Sequence, residues 1–231
     1  MLDILFPLQC IGCGKKKSWI CDLCLHQIPL RLEQHCPACL RHTTPFGQVC
    51  FACQDSAKPA LDGLFIASYY RDTLLPRAIH TYKYRFIKDL SIPLGSLLLH
   101  ALSKTDLPLP DTLIPVPLHS RRLRFRGFNQ AELLARILSS QLTPGLEIPL
   151  LTDTLLRIRS TKPQMKTESR EERLTNLKNA FHVATEKRAL LEGKSLWLID
   201  DVATTGTTLE ECATVLKHSG AKTVYGIVLA R

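Results

Sequence analysis

The sequence predicts an α/β domain with a mostly parallel sheet, preceded by a small cysteine-rich module. Eight of the nine cysteines fall before residue 54, and beyond residue 63 short apolar runs alternate with helix-period patterns. Residues 195–229 then read as strand, acidic turn, small-residue loop, helix and strand, the order of a parallel unit with helices on both faces. A chain of 231 residues with 45% hydrophobic content can bury the core of one medium domain and a small appendage. The boundary is expected near residue 57, giving units 1–57 and 58–231. No apolar run approaches the roughly 20 residues that cross a bilayer, and residues 1–8 lack a basic start and a long apolar core. A soluble cytoplasmic chain with no membrane span is therefore expected.

The cysteines form four Cys-x-x-Cys pairs: Cys10 with Cys13, Cys21 with Cys24, Cys36 with Cys39, and Cys50 with Cys53. The two-residue spacer turns the chain back sharply enough to converge two thiolates on one tetrahedral ion, so four pairs supply two zinc sites. Sequential pairing groups Cys10, Cys13, Cys21 and Cys24, then Cys36, Cys39, Cys50 and Cys53. The intervening segments of 7 and 10 residues are short and favour local closure. An interleaved arrangement, a single zinc, and a disulfide framework are the alternatives, the last disfavoured in a reducing compartment. Four thiolates leave no open position, so the expected role of the metal is structural. Two such sites reduce the formal charge of +9 to about +5.

Residues 54–62, with Pro59, read as a linker. A strand over 64–70 follows, then helices over 73–84 and 92–103, a proline-bearing turn at 107–111, and a strand over 112–116. The pattern continues with a helix over 130–141 capped by Asn129, a strand over 150–156 and a charged helix over 168–178. A central strand over 195–199, a helix over 207–219 and a strand over 223–229 complete it. Cys212, on that last helix, is expected to be buried. Ligands of such sheets gather at the carboxyl ends of the strands.

Three motifs leave a strand at that end. In the first, residues 196–208 carry an apolar strand into Asp200 and Asp201, then into Ala203, Thr204, Thr205, Gly206, Thr207 and Thr208. Loop N–H groups and a helix N-terminus favour a phosphate, while two ionised carboxylates suit ribose hydroxyls and Mg²⁺, with both side chains expected to point into the cleft. This stretch resembles the 5-phosphoribosyl-1-diphosphate (PRPP) signature of type I phosphoribosyltransferases. In that resemblance Asp200 and Asp201 are the catalytic pair, and 203–208 bind the 5-phosphate.

The second motif is Ile114-Pro115-Val116-Pro117, where two prolines preset a turn. In the resembled enzymes this position holds pyrophosphate, which makes Val116 and Pro117 PRPP-binding candidates. Arg121, Arg122, Arg124 and Arg126 follow with planar donors for phosphate oxygens, and Phe125 and Phe128 offer faces for base stacking. The alternative is a solvated basic loop. The third motif, over 157–176, carries Arg157, Lys162 and Arg170 as further candidates for pyrophosphate or nucleic acid. A basic loop at this point in the chain order closes over the diphosphate in phosphoribosyltransferases; the alternative is a solvated connection. Residues 69–89, with Arg71, His80, Lys83, Tyr84 and Arg85, form a candidate base-reading hood.

Taken together, the cysteine array, 114–117, Arg126-Gly127-Phe128-Asn129-Gln130, Lys162-Pro163-Gln164 with Arg173, Asn176 and Phe181, and the 200–208 loop resemble the ComF family. The resemblance covers nearly the whole chain. It implies a type I phosphoribosyltransferase-like sheet behind a double zinc ribbon, and a cytoplasmic role in natural transformation on incoming single-stranded DNA, with PRPP or a related ribose phosphate as ligand. Two other readings stand beside it. One is an active phosphoribosyltransferase releasing pyrophosphate as it modifies a base, nucleotide or DNA end. The other is a zinc module that docks a DNA-uptake helicase or a recombination mediator.

Overall fold

The computed structural model describes residues 8–71, 74–159 and 179–231. The chain runs through α1 (Asp22–His26) and α2 (Phe51–Ser56) into β1 (Gly63–Ser68), α3 (Leu74–Tyr84), α4 (Ser91–Leu102) and β2 (Thr112–Pro115). It continues through α5 (Ser120–Arg126), α6 (Gln130–Gln141), β3 (Leu155–Arg157), β4 (Phe181–Val183), β5 (Ser195–Val202), α7 (Thr207–His218) and β6 (Thr223–Ala230). Strands β1, β6, β5 and β2 form, in that spatial order, an all-parallel sheet.

The uninterrupted apolar runs of these strands follow from burial on both faces. Phe65, Ala67, Leu113, Trp197, Ile199 and Ile227 share one core with α3, α4 and α6. Leu64, Ile66, Ile114, Leu196, Leu198 and Val228 share the other with Leu209, Cys212 and Leu216 of α7. Cys212 is fully buried, as expected. Pro115 is tolerated because β2 lies at the end of the strand order, where a missing N–H costs least.

Three expectations change. The strand over 150–156 contributes one parallel bridge, Leu150 to Leu113, and β3 begins only at Leu155. There it pairs antiparallel with β4, in a separate two-stranded sheet. The arginine-rich stretch is helix α5 and not a loop: His119 Nδ1 accepts from Arg121 N–H at 3.2 Å, and Gly127 ends it at φ 79°. Helix α2 occupies the first residues of the supposed linker. The helix expected over 168–178 lies outside the described residues.

The cysteine-rich segment is fastened along the outer edge of β1. Arg31 N–H donates to Ala67 O at 2.9 Å, and Val49 N–H to Asp62 O at 2.9 Å. The buried Gln34 side chain behaves as a substitute strand: its Nε2 donates to Ile66 O and its Oε1 accepts from Ile66 N–H, both at 3.0 Å. Gly47 passes so close to β1 that any Cβ would collide with the Leu64 carbonyl. Cys10, Ile20, Cys21, Cys24 and Ile28 meanwhile join the main core. An edge that would otherwise offer unpaired backbone groups is thereby covered.

Candidate functional site

The cysteines assemble in the sequential order. The sulfurs of Cys10, Cys13, Cys21 and Cys24 lie within 4.8 Å of one another, as do those of Cys36, Cys39, Cys50 and Cys53. Backbone N–H groups point into both clusters. Burial opposes ionisation of Cys10, yet N–H groups of Cys13, Cys21 and Gly12 bring its thiol down to about 6. The N–H groups of His42 and Arg41, with the His42 ring, bring Cys39 down to about 5. Four thiols this close, aimed at by donors that favour thiolates, suit one tetrahedral zinc ion per cluster. His42 Nδ1 lies 3.5 Å from the sulfurs of both Cys39 and Cys50, beside the second cluster.

At the carboxyl end of the sheet, β5 delivers Asp200 and Asp201. Successive strand residues point to opposite faces. Asp201 therefore continues the row of Trp197 and Ile199, toward α3, while Asp200 continues the row of Leu196 and Leu198, toward α7. Instead of pointing into one cleft side by side, the two carboxylates straddle the strand end.

Each has its own basic surroundings. Buried Asp201 Oδ1 is 2.7 Å from Lys83 Nζ, delivered by α3. Burial pulls the Lys83 ammonium down, but the charges of Asp201 and Asp200 more than reverse this, and its pKa rises. Arg126 also feels Asp201 and lies 5.9 Å over the Tyr84 ring. On the other face Arg157, from β3, sits near Asp200 and Arg122, its guanidinium 5.3 Å over Phe181. Burial first, and the Asp201 charge second, raise Asp200 to about 7, against the opposing pull of Lys83, the Asp201 N–H and Arg157. That N–H donates to Asp200 Oδ1 at 2.8 Å.

The loop after β5 is held by Ala203 N–H donating to Ala230 O at 3.1 Å. Gly206 turns at φ 79°, with open space where a Cβ would sit, so glycine serves the backbone conformation alone. As N-cap it has no side chain to offer; Thr205 Oγ1 instead accepts from Thr207 N–H at 3.5 Å, and the Thr205 and Thr207 hydroxyls lie 2.8 Å apart beside that N-terminus. First-turn N–H groups, flanking hydroxyls and a glycine turn form an anion cradle.

The proline turn is tied to the same crevice. Val116 N–H donates to Ile199 O at 2.9 Å, and Asn129 Nδ2 donates to Val116 O at 3.0 Å. Asn129 Oδ1 caps α6 as expected, accepting from Ala131 N–H at 3.2 Å. Pro117, next in the chain, is half-buried.

Of the four arginines of α5, Arg122 and Arg126 share one helix face, four residues apart; Arg126 interacts with Asp201, and Arg122 lies near Arg126 and Arg157. Arg121 and Arg124 are exposed. Lys162 and Arg170 lie outside the described residues. Phe128 packs on Tyr82, ring centroids 5.5 Å apart, and is not an open face; Phe125, 77% exposed, meets Phe86 edge-on at 5.3 Å.

Two side chains gain roles the motifs did not assign. Lys83 was visible only as one cation in the 69–89 segment, and nothing local ties it to residue 201. Gln130, 2% exposed, accepts from Arg126 Nη1 at 2.5 Å, while its Nε2 has no partner among the described residues. A buried donor without an acceptor is uncommon and is suited to a ligand oxygen.

A parallel sheet, an acidic pair at a strand end and an anion cradle on the following helix together define a phosphoribosyltransferase-type domain. The Phosphoribosyl transferase domain family matches residues 129–231. Over the whole chain, Competence protein F of Haemophilus influenzae is 32% identical, with 98% of each chain covered. DNA utilization protein YhgH of Salmonella typhi is 32% identical over 92% of this chain and 90% of its own. Competence protein ComFC of Bacillus subtilis is 27% identical over 94% of this chain and 86% of its own. The chain belongs to the ComF family of competence proteins.

Proposed function

We propose that this protein handles single-stranded DNA in the cytoplasm during natural transformation and binds PRPP with magnesium at the carboxyl end of β5, where its loop meets the start of α7. The observation that carries the ligand is the convergence of Lys83, Arg126 and Arg157 on Asp200 and Asp201, beside the hydroxyl-flanked start of α7. Residues 203–208 take the 5-phosphate through backbone N–H groups. The carboxylates take the ribose hydroxyls, and Val116, Pro117, Arg122, Arg126 and Arg157 take the pyrophosphate. Magnesium, when bound, neutralises charge on the diphosphate and orients its oxygens. Asp200 must then give up its proton, and Lys83 exchanges part of its hold on Asp201 for the ligand's phosphates.

The DNA role is supported by the relatives' names, by a net charge that stays positive, about +5, with both zinc sites filled, and by the exposed arginines of α5. Zinc in the two cysteine clusters keeps the N-terminal module, assigned to residues 1–57, folded against the transferase-like domain, residues 58–231. No described helix is long and apolar enough to cross a membrane.

Phosphoribosyl transfer is favoured as a second reading by the exposed rings of Tyr84 and Phe86, which follow Lys83 and offer an acceptor base a place to stack. In that reaction the bond from C1 to the pyrophosphate oxygen breaks and a bond from C1 to an acceptor nitrogen forms. The acceptor's proton is lost and pyrophosphate leaves. Calorimetric titration of the zinc-loaded protein with PRPP and Mg²⁺, with and without an oligonucleotide, separates the readings. Saturable binding without pyrophosphate release supports a ligand-binding DNA factor, release supports the transferase, and no binding removes PRPP from both.

A further inference from the structure

A second concave surface lies away from the acidic pair. Between the first cysteine cluster and α3 runs an open groove of about 670 Å³. Trp19 and Tyr70 line it with aromatic faces, and Arg77, His80 and Arg85 line it with nitrogen donors. Among the described residues no carboxylate lines it, and neither Arg77 nor Arg85 is in a salt bridge. Alternating rings and guanidinium groups match a strand whose bases stack and whose phosphates pair.

A succession of side chains on α3 leads from the groove toward the site already described. Arg77, His80, Thr81 and Tyr84 fall on one stripe of α3, three or four residues apart, spanning about 10 Å along the axis. His80 lies 4.7 Å from the Tyr84 ring, and Tyr84 lies beneath Arg126 at 5.9 Å. Arg126 in turn feels Asp201. The exposed ring pair of Phe86 and Phe125 stands in the neighbouring segments, with Phe86 in a left-handed backbone at φ 59°, a conformation that costs a bulky residue energy.

We propose that this groove seats single-stranded nucleic acid, its bases against Trp19 and Tyr70 and its phosphates on Arg77 and Arg85, and that the strand is led along α3 toward the acidic pair. The proposal rests on the DNA-handling reading and adds to it a location and a direction. It also gives the first cysteine cluster a second task, since Cys10, Ile11 and Trp19 form the groove's other wall.

Trp19 supplies its own probe. The other tryptophan, Trp197, is buried in the core, so quenching by a bound base is expected from Trp19 alone. The experiment is fluorescence titration of the zinc-loaded full chain with oligo(dT) of twelve nucleotides over a range of salt, for wild type, Trp19→Phe and Arg77→Ala/Arg85→Ala. The expected result is saturable quenching in wild type that Trp19→Phe lacks. The double variant, with unchanged zinc content and melting, should bind roughly tenfold more weakly, with a salt slope shallower by about 1.4 for two lost phosphate contacts.

If anisotropy shows the oligonucleotide binding the double variant with wild-type affinity and slope, and Trp19 emission does not respond, the groove is refuted while the DNA-handling reading survives. No binding to wild type removes that reading and the groove with it. Equal occupancy by poly-glutamate, competing with oligo(dT), overturns the nucleic-acid assignment in favour of an acidic protein segment.

Discussion

Asp200→Asn should make the protein more stable, and the gain should grow with pH. Burial and the adjacent Asp201 charge raise this carboxyl from 3.8 to about 7. Between those values the unfolded chain has released a proton that the folded protein still holds. Stability is therefore lost as pH rises, and the loss is complete above the folded value. At about 1.4 kcal/mol per pH unit the full penalty is about 4 kcal/mol, of which about 3 kcal/mol accrues between pH 5 and pH 8. Asparagine keeps an oxygen for the Asp201 N–H, which donates at 2.8 Å, and never ionises. Equilibrium urea unfolding of zinc-loaded wild type and variant at pH 5 and pH 8 measures the effect. Thiolate protonation acts alike on both proteins and cancels in their difference, which should widen by about 3 kcal/mol in favour of the variant. PRPP binding should be lost in parallel, as expected where a ligand site stores instability. A difference that does not change with pH, or a variant less stable at pH 8, would refute the reasoning.

Lys83→Met leaves buried Asp201 without its cation. The expected cost is about 2–4 kcal/mol, at the lower end of what breaking a buried pair costs because Lys83 is partly exposed, and is read as a fall in thermal midpoint of roughly 5–10 °C. Arg122→Ala with Arg126→Ala should weaken PRPP by at least about tenfold, as loss of charge-assisted hydrogen bonds requires, whereas Arg121→Ala with Arg124→Ala should leave calorimetric PRPP affinity unchanged. Elemental analysis of the purified protein should find two zinc ions per chain, and stripping them with a strong chelator should lower the thermal midpoint of the whole protein, because Cys10, Cys21 and Cys24 lie in the main core.

What the sequence made legible was local. The cysteine spacing closes within short segments, and the cradle after β5 is written in consecutive residues, so both could be read without knowing the fold. Asn129 as a cap and Cys212 as a buried thiol are likewise decided by near neighbours. Lys83 was not legible as the partner of Asp201, because only the packing of α3 over the sheet brings the two together. Helix α5 was hidden because an arginine-rich segment shows no apolar stripe; its start and stop rest on His119 and Gly127. The opposite orientation of Asp200 and Asp201 was in principle available from strand alternation. The role of Gln34 was not, since it depends on the register in which the cysteine-rich segment meets β1.

With zinc in both clusters, as proposed, that meeting would make metal supply a control on how much of the protein a cell can keep. A chain made under zinc starvation would lose the scaffold that holds Gln34 and Gly47 against β1, and its outermost strand would become a template for other chains or a foothold for proteases. Abundance would then follow zinc more steeply than either cluster's affinity suggests, because two ions must be in place before one sheet edge is closed. Under the proposed role, DNA handling would be curtailed in a starved cell without any dedicated metal-responsive switch.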